Sequence, residues 1–232
     1  MHDWDALCTN WKKTLEAVDR LGGITTGFAA RSAGIQHSEF WGLHIEPPAL
    51  ASELTAVETE LGLRLPEKLR EIFTKLAGRI DFRWQLSDDL EFSEPFGGIF
   101  SGGFSLNLLE IPEIHEEMMG MASVFEEASE FDITWHDKLA FMRGYPGNYY
   151  VFDAKDRVGD AVIYLNHEDD EAHGYTLGSD IVDFLKRWSA LGTPGPEHWQ
   201  WFPFATSPSS LLQTESEIAK KWREQLGLEL NS

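Results

Sequence analysis

Residues 139–165 read LAFMRGYPGNYYVFDAKDRVGDAVIYL, and this stretch decides the fold class. It contains three apolar runs, at 139–142, 149–152 and 161–165, each of the length of a short strand. Glycine, proline, asparagine and aspartate are frequent in the two segments between the runs, and these residues favour tight turns. Strands joined by such short turns pair in antiparallel order. The stretch therefore predicts three consecutive antiparallel strands.

A second group of strands precedes this stretch. From Asp81 to Leu86 polar and apolar residues alternate, which is the pattern of a strand with one buried face. Ile99-Phe100 and Phe104–Leu108 are further strand candidates, and Gly102-Gly103 separates them. Because these strands follow one another between helical segments, the sequence predicts an α+β fold with a mainly antiparallel sheet packed against helices.

Apolar residues at spacings of three and four predict the helices. The N-terminal helix carries Trp11 and ends at Gly22-Gly23, while residues 24–46 lack periodicity and are expected to form a loop. The other predicted helices cover residues 50–61, the segment from Pro66 to Gly78, part of residues 113–130, a segment capped by Ser179-Asp180, and a C-terminal segment beginning at a Thr214–Glu217 capping box. We therefore divide the chain into residues 1–46, a helix with a connecting loop, and residues 47–232, an α+β domain that includes the C-terminal helix.

The charge of the chain limits its partners. Asp and Glu number 39 against 19 Lys and Arg, which gives a formal net charge of −20. Nucleic acid and anionic membranes both require positive protein charge, so we expect neither as a partner. A basic protein surface would instead be attracted and steered towards this chain.

Composition also suggests a compartment. No apolar run approaches the length of about 20 residues that a membrane span requires, and the N-terminus lacks the features of a secretory signal. The single cysteine, Cys8, cannot form an internal disulfide, which favours a reducing environment. We therefore expect a cytoplasmic protein.

The acidic residues are concentrated in one part of the sequence. From Trp84 to Asp137 there are thirteen acidic residues and no Lys or Arg. A solubilising surface is one interpretation, and a surface that binds a basic partner protein is the other. The candidate partner-binding residues are Asp88, Asp89, Glu91, Glu113, Glu116, Glu117, Glu126 and Glu127, with Glu168, Asp169 and Asp170 as a second acidic edge.

Few motifs suggest catalysis. His167 and His173 flank four carboxylates and could ligate a metal ion, although they do not form the His-Glu-x-x-His motif. Gly97–Gly103 lacks the Lys and Ser or Thr of a phosphate-binding loop. The aromatic segment 199–204 could stack on sugars or pack on the core. We predict no catalytic residue and no cofactor.

Two parts of the sequence together resemble a known family. They are the hairpin Leu61–Pro66 between two helices, and the series Gly147–Asp153, Val162–His167 and Ile181–Trp188. Their order resembles the SUKH superfamily, in the branch related to the fungal Smi/Knr cell-wall-synthesis regulators, over roughly residues 48 to 204. Where many members have an Asn-Gly-Gly-like turn, this chain has Ala77-Gly78-Arg79, which weakens any claim that this turn is a shared site.

The resemblance implies a curved, mostly antiparallel sheet backed by helices, and it supplies no catalytic residues. It also implies a function, because bacterial members are mostly immunity proteins that bind and neutralise a toxin of the same polymorphic-toxin system. Two alternatives stay open, namely a regulatory adaptor that binds a cellular partner and a metal-dependent hydrolase centred on His167 and His173.

Overall fold

The computed structural model describes residues 4–32, 41–90, 92–125, 129–144, 147–154, 160–168 and 172–228. The helices of this part are α1 (Trp4–Arg20), α2 (Gly27–Ser32), α3 (Ala51–Leu61), α4 (Glu67–Glu71), α5 (Ile111–Ala122), α6 (Glu130–Thr134), α7 (Ile181–Ala190), α8 (His198–Trp201) and α9 (Glu217–Leu226). The strands are β1 (Gly42–Ile45), β2 (Arg79–Gln85), β3 (Ser101–Asn107), β4 (Lys138–Arg143), β5 (Tyr149–Asp153), β6 (Val162–Leu165) and β7 (Thr176–Gly178). The predicted α+β class is confirmed.

The described strands form two antiparallel sheets. The first sheet has the order β1-β2-β3, and the second has the order β4-β5-β6-β7. Each strand therefore pairs with its neighbour along the chain, as expected for strands joined by short connections. Strand β3 contacts β4, so the two sheets lie side by side.

The first sheet buries one face. Ile80, Phe82 and Trp84 of β2 face the core, where Trp11 of α1 lies with its ring centroid 5.4 Å from that of Phe104 on β3. Arg83 is on the opposite face and is exposed. The alternation in the sequence therefore predicted correctly a strand with one buried face.

The second sheet is covered on both faces. In β5, Tyr150 faces α7, where its ring stacks on Trp188 at a centroid distance of 5.7 Å. Val151 belongs to a separate apolar cluster that includes Met118 of α5 and Trp135. All residues from Tyr149 to Phe152 are consequently buried.

Several elements differ from the sequence predictions. Gly42–Ile45 forms β1 within the segment expected to be a loop, and it pairs with β2. Ile99-Phe100 lies outside β3, in the connection that precedes it. The N-cap of α9 is Ser216, whose hydroxyl accepts a hydrogen bond from the Ala219 amide, and not Thr214. These corrections all concern short elements or element ends, which local sequence defines weakly.

Helices at both chain ends contribute to the core. Trp11 of α1 and Trp222 of α9 are fully buried, and the Trp222 indole donates a hydrogen bond to the Leu191 carbonyl at 2.7 Å. The division of the chain at residue 46 stays a prediction. Among the described helices, none has the length and apolar character to span a membrane.

Candidate protein-binding surface

Helix α5 separates an apolar face from an acidic face. Pro112 lies in its first turn, where a missing amide hydrogen costs nothing. Its buried face includes Ile114 and Met118, which belong to the cluster on the second sheet. Its exposed face carries three of the predicted partner-binding residues, Glu113, Glu116 and Glu117, at the three- and four-residue spacings of one helix face.

Arg143, at the end of β4, organises this acidic face. Its Nε donates a hydrogen bond to Glu117 Oε2 at 2.8 Å and its Nη2 donates one to Glu117 Oε1 at 2.9 Å, which is a bidentate pair. The same Nη2 donates to Glu113 Oε1 at 3.1 Å, and Nη1 lies 3.5 Å from Glu110 Oε2. The hydrogen bond from Arg143 lowers the pKa of Glu117, and the bond to Glu117 raises the pKa of Arg143.

The charge of this face is lower than the sequence suggests. Three carboxylates surround one guanidinium, so the group keeps two negative charges, and Glu116 adds a third. The stretch from Trp84 to Asp137 lacks cations in sequence, but Arg143 supplies one in space. The face is therefore moderately acidic, and the contacts with Arg143 fix the positions of its paired carboxylates.

Exposed apolar side chains border the acidic face. Leu109 is 62% exposed, Met119 is 49% exposed and Val124, just beyond the end of α5, is 69% exposed. Apolar side chains surrounded by charged ones are typical of protein-binding surfaces. We call Leu109, Glu113, Glu116, Met119 and Val124, together with Glu117, the α5 surface.

The structure does not bring all predicted acidic residues together. Asp88 and Asp89 lie in the connection from β2 to β3, and α5 follows the opposite end of β3. The seven residues of β3 span about 20 Å, so the two acidic groups lie at opposite ends of that strand. Glu91, Glu126, Glu127, Asp169 and Asp170 lie outside the described residues.

Glu168 lies apart from both of these acidic groups, after the end of β6. Its amide donates to Asn166 Oδ1 at 2.9 Å, and its side chain is exposed. Its charge acts on Glu197, which is 8% exposed. Burial, together with the charge of Glu168, raises the pKa of Glu197 to about 7. Sequence reasoning missed Glu197, because its burial depends on contacts distant in the chain.

The two candidate metal-ligating histidines have different structural surroundings. His167 Nδ1 lies 2.8 Å from Asn148 Oδ1. His173 Nδ1 accepts a hydrogen bond from the Asn166 amide at 3.1 Å, and its ring packs on Phe131 at a centroid distance of 4.2 Å. No group of three metal-ligating side chains occurs in the described ranges. Asp169, Asp170 and Glu171, which lie between the two histidines, are outside the described residues.

The aromatic segment near the C-terminus is mainly core. Trp201 and Phe204 are buried, as the core interpretation predicts, and Trp199 is 42% exposed. Trp201 and Phe204 therefore contribute to the core, while the Trp199 ring stays partly accessible to solvent.

A groove on the outer face of the first sheet was not predicted. It has a volume of about 780 Å³, and its lining includes Trp41, Arg79, Arg83, Ser101, Arg143 and Pro196. The alternation from Asp81 to Leu86 placed Arg83 on the exposed face, and Arg79, two residues before Asp81, lies on the same face of β2. It could not indicate that Trp41, Arg143 and Pro196 would surround them, because these residues come from distant parts of the chain.

Comparison with known proteins identifies the family. A family model described as the SMI1 / KNR4 family (SUKH-1) matches residues 48–187, which is more than half of the chain. No curated protein sequence matches the chain. The matched segment runs from just before α3 into α7 and contains six of the seven described strands in whole, with the exception of β1. The chain therefore belongs to the SMI1/KNR4 (SUKH-1) family.

Proposed function

We propose that this protein is an immunity protein, which binds a toxin domain with a basic surface and neutralises it by covering that surface. Membership of the SUKH-1 family supports this function, because the bacterial members that the sequence resembles are mostly immunity proteins. The proposed interaction involves no catalytic step, in keeping with a family that is generally non-catalytic.

The α5 surface is the observation that carries the proposal. It combines a net negative charge with exposed Leu109, Met119 and Val124. Negative charge would steer a basic partner and accelerate the encounter, while the apolar side chains would be desolvated in the complex. The ion pairs with Arg143 hold Glu113 and Glu117 in place, which lowers the entropy lost on binding.

Co-expression tests the function directly. The candidate toxin is the product of the reading frame immediately upstream of the gene for this protein. We expect growth of cells that produce both proteins and arrest of cells that produce the toxin alone. Growth arrest in both cultures would overturn the proposal. A stable complex without rescue would instead indicate a regulatory adaptor.

A charge-reversal pair tests the surface. Glu113→Lys with Glu116→Lys should slow association with that product at least tenfold at low salt, and the difference should shrink as salt screens the charges. The matched control is Glu215→Lys with Glu224→Lys, which makes the same change in net charge at exposed positions near α9. Equal association rates for the two double variants would remove the α5 surface from the interface.

A further inference from the structure

Arg83 differs from the other arginines whose side chains the structure describes. Its described contact is a cation–π interaction, in which the guanidinium carbon lies 5.8 Å from the centre of the Trp41 ring. Among the described side chains it is the one arginine that donates no hydrogen bond within the protein. The others, which all donate to a carboxylate or a carbonyl, are Arg20, Arg64, Arg70, Arg79, Arg143, Arg187 and Arg223.

The strand register explains this isolation. Arg83 pairs with Gly42 on β1 and with Gly103 on β3, so neither cross-strand partner has a side chain. Asp81 lies two residues before Arg83 on β2, and its cross-strand partners are His44 and Ser105. Its carboxylate accepts hydrogen bonds from the Ser105 hydroxyl and from Arg79. Within the described part of the chain, the sheet therefore supplies hydrogen-bond partners to Asp81 and none to Arg83.

The backbone requires glycine at both positions beside Arg83. Gly103 has φ +144°, and a Cβ there would lie 2.2 Å from the Phe82 carbonyl oxygen. Gly42 has φ +88°, and a Cβ there would lie 2.8 Å from the Thr25 carbonyl oxygen. The lack of a cross-strand side chain on either side of Arg83 is thus built into the fold of the first sheet.

Charges alternate along the groove. Arg83 is an unpaired cation held over Trp41, and the pair of Arg79 with Asp81 lies next to it. Beyond that pair, Glu110 and Arg143 line the groove, and Arg143 also pairs with Glu113 and Glu117 of the α5 surface. Arg79 and Arg83 are four positions apart on β2, which places their Cα atoms about 13 Å from each other.

We propose that this groove receives a segment of the toxin that carries an aspartate or glutamate, whose carboxylate pairs with Arg83, and a lysine or arginine that meets Glu110 towards the Arg79 end of β2. The inference rests on the proposed function and adds a second contact region beside the α5 surface. A planar guanidinium held on an aromatic ring is pre-organised for bidentate binding of a carboxylate. The groove thereby favours a segment that carries both charges, because a segment with basic residues alone would leave Arg83 without a partner.

The test uses the full-length protein and the product of the upstream reading frame. Arg83→Gln should raise the dissociation rate at least tenfold, and Arg83→Glu should raise it further, because a carboxylate in the groove would lose its partner and then face a like charge. Arg83→Lys should restore part of the affinity. The matched control is Arg64→Glu, an exposed arginine in the connection between α3 and α4.

Hydrogen exchange provides a second readout. In the complex, amides of β2 and β3 should exchange more slowly than in the free protein if the groove is filled. Dissociation rates that are unchanged for Arg83→Gln and Arg83→Glu would overturn the inference. Unchanged hydrogen exchange in these strands on complex formation would overturn it as well. If Glu113→Lys with Glu116→Lys still slows association, the proposed function stands while the groove is excluded. Absence of any complex with the wild-type protein would overturn the proposed function itself.

Discussion

The two sheets differ in how many of their faces the protein itself covers. In β2 of the first sheet, core residues such as Phe82 alternate with outward residues such as the exposed Arg83. In β5 of the second sheet, every residue from Tyr149 to Phe152 is buried, between α7 on one face and α5 on the other. The second sheet therefore contributes both faces to stability, while the first keeps one face available for a partner.

The covering helix links the two regions. Helix α5 follows β3 through the short 3-10 turn Leu108–Glu110 and packs on β4, so it places its acidic side beside the groove end that Arg143 and Glu110 line. The proposed binding features thus lie on the outside of α5 and on the open face of the first sheet. Substitutions should separate these roles, with large losses of stability from the second sheet and small ones from the open face.

The largest effect should come from the second sheet. Phe152→Ala removes a ring that is 1% exposed and stacks on Phe141 at a centroid distance of 4.4 Å. The variant loses the burial of this apolar ring and leaves a cavity in its place. Together these effects should lower the free energy of unfolding by about 3–5 kcal/mol. Urea denaturation followed by far-UV circular dichroism measures this. A loss below about 1 kcal/mol would contradict the view that the second sheet is a tightly packed core.

Glu197 lies where the two sheets meet. The Tyr150 hydroxyl donates to the Pro196 carbonyl at 2.9 Å, and Gln200 Nε2 donates to the Ser101 carbonyl at 3.0 Å. The Glu197 carboxyl between these contacts is buried, and its Oε2 finds no hydrogen-bond partner among the residues that the structure describes. A change in its charge therefore acts on the segment from Pro196 to Gln200, which forms hydrogen bonds with both sheets.

The pH dependence follows from the pKa of about 7. Because the folded pKa lies above the ordinary value of 4.5, folding favours the protonated acid. The folded state then loses stability as the pH rises from about 4.5 to 7, by up to about 3 kcal/mol.

Glu197→Gln tests this contribution. The amide keeps the shape of the neutral acid and cannot ionise, so the variant should gain stability over the wild type as the pH rises from 5 to 8. Urea denaturation of both proteins at each pH gives the difference, in which other titrating groups cancel. A difference that stays constant with pH would place the Glu197 pKa near its ordinary value.

The sequence predicted the open face of the first sheet better than the α5 surface. Alternation from Asp81 to Leu86 gave the buried and exposed sides of β2, because a period of two is a local property. Gly42–Ile45 was missed since four residues with a glycine carry little strand signal, and pairing with β2 stabilises them. The acidic residues of α5 were found from composition. Their partner Arg143 was missed because it comes from another strand, 26 residues beyond Glu117.

The smallest effect should come from the open face. Arg83→Ala removes an exposed side chain that makes no hydrogen bond with the described protein, so its contact with Trp41 is the main loss. The free energy of unfolding should fall by no more than about 0.5–1 kcal/mol. Urea denaturation at neutral pH measures this change, and the Phe152→Ala variant is measured in parallel for comparison. A loss of several kcal/mol would mean that the Arg83 side chain stabilises the first sheet. Its position between Gly42 and Gly103 would then be explained by folding and not by binding. A loss near zero, together with faster dissociation from the toxin, would assign the residue to binding.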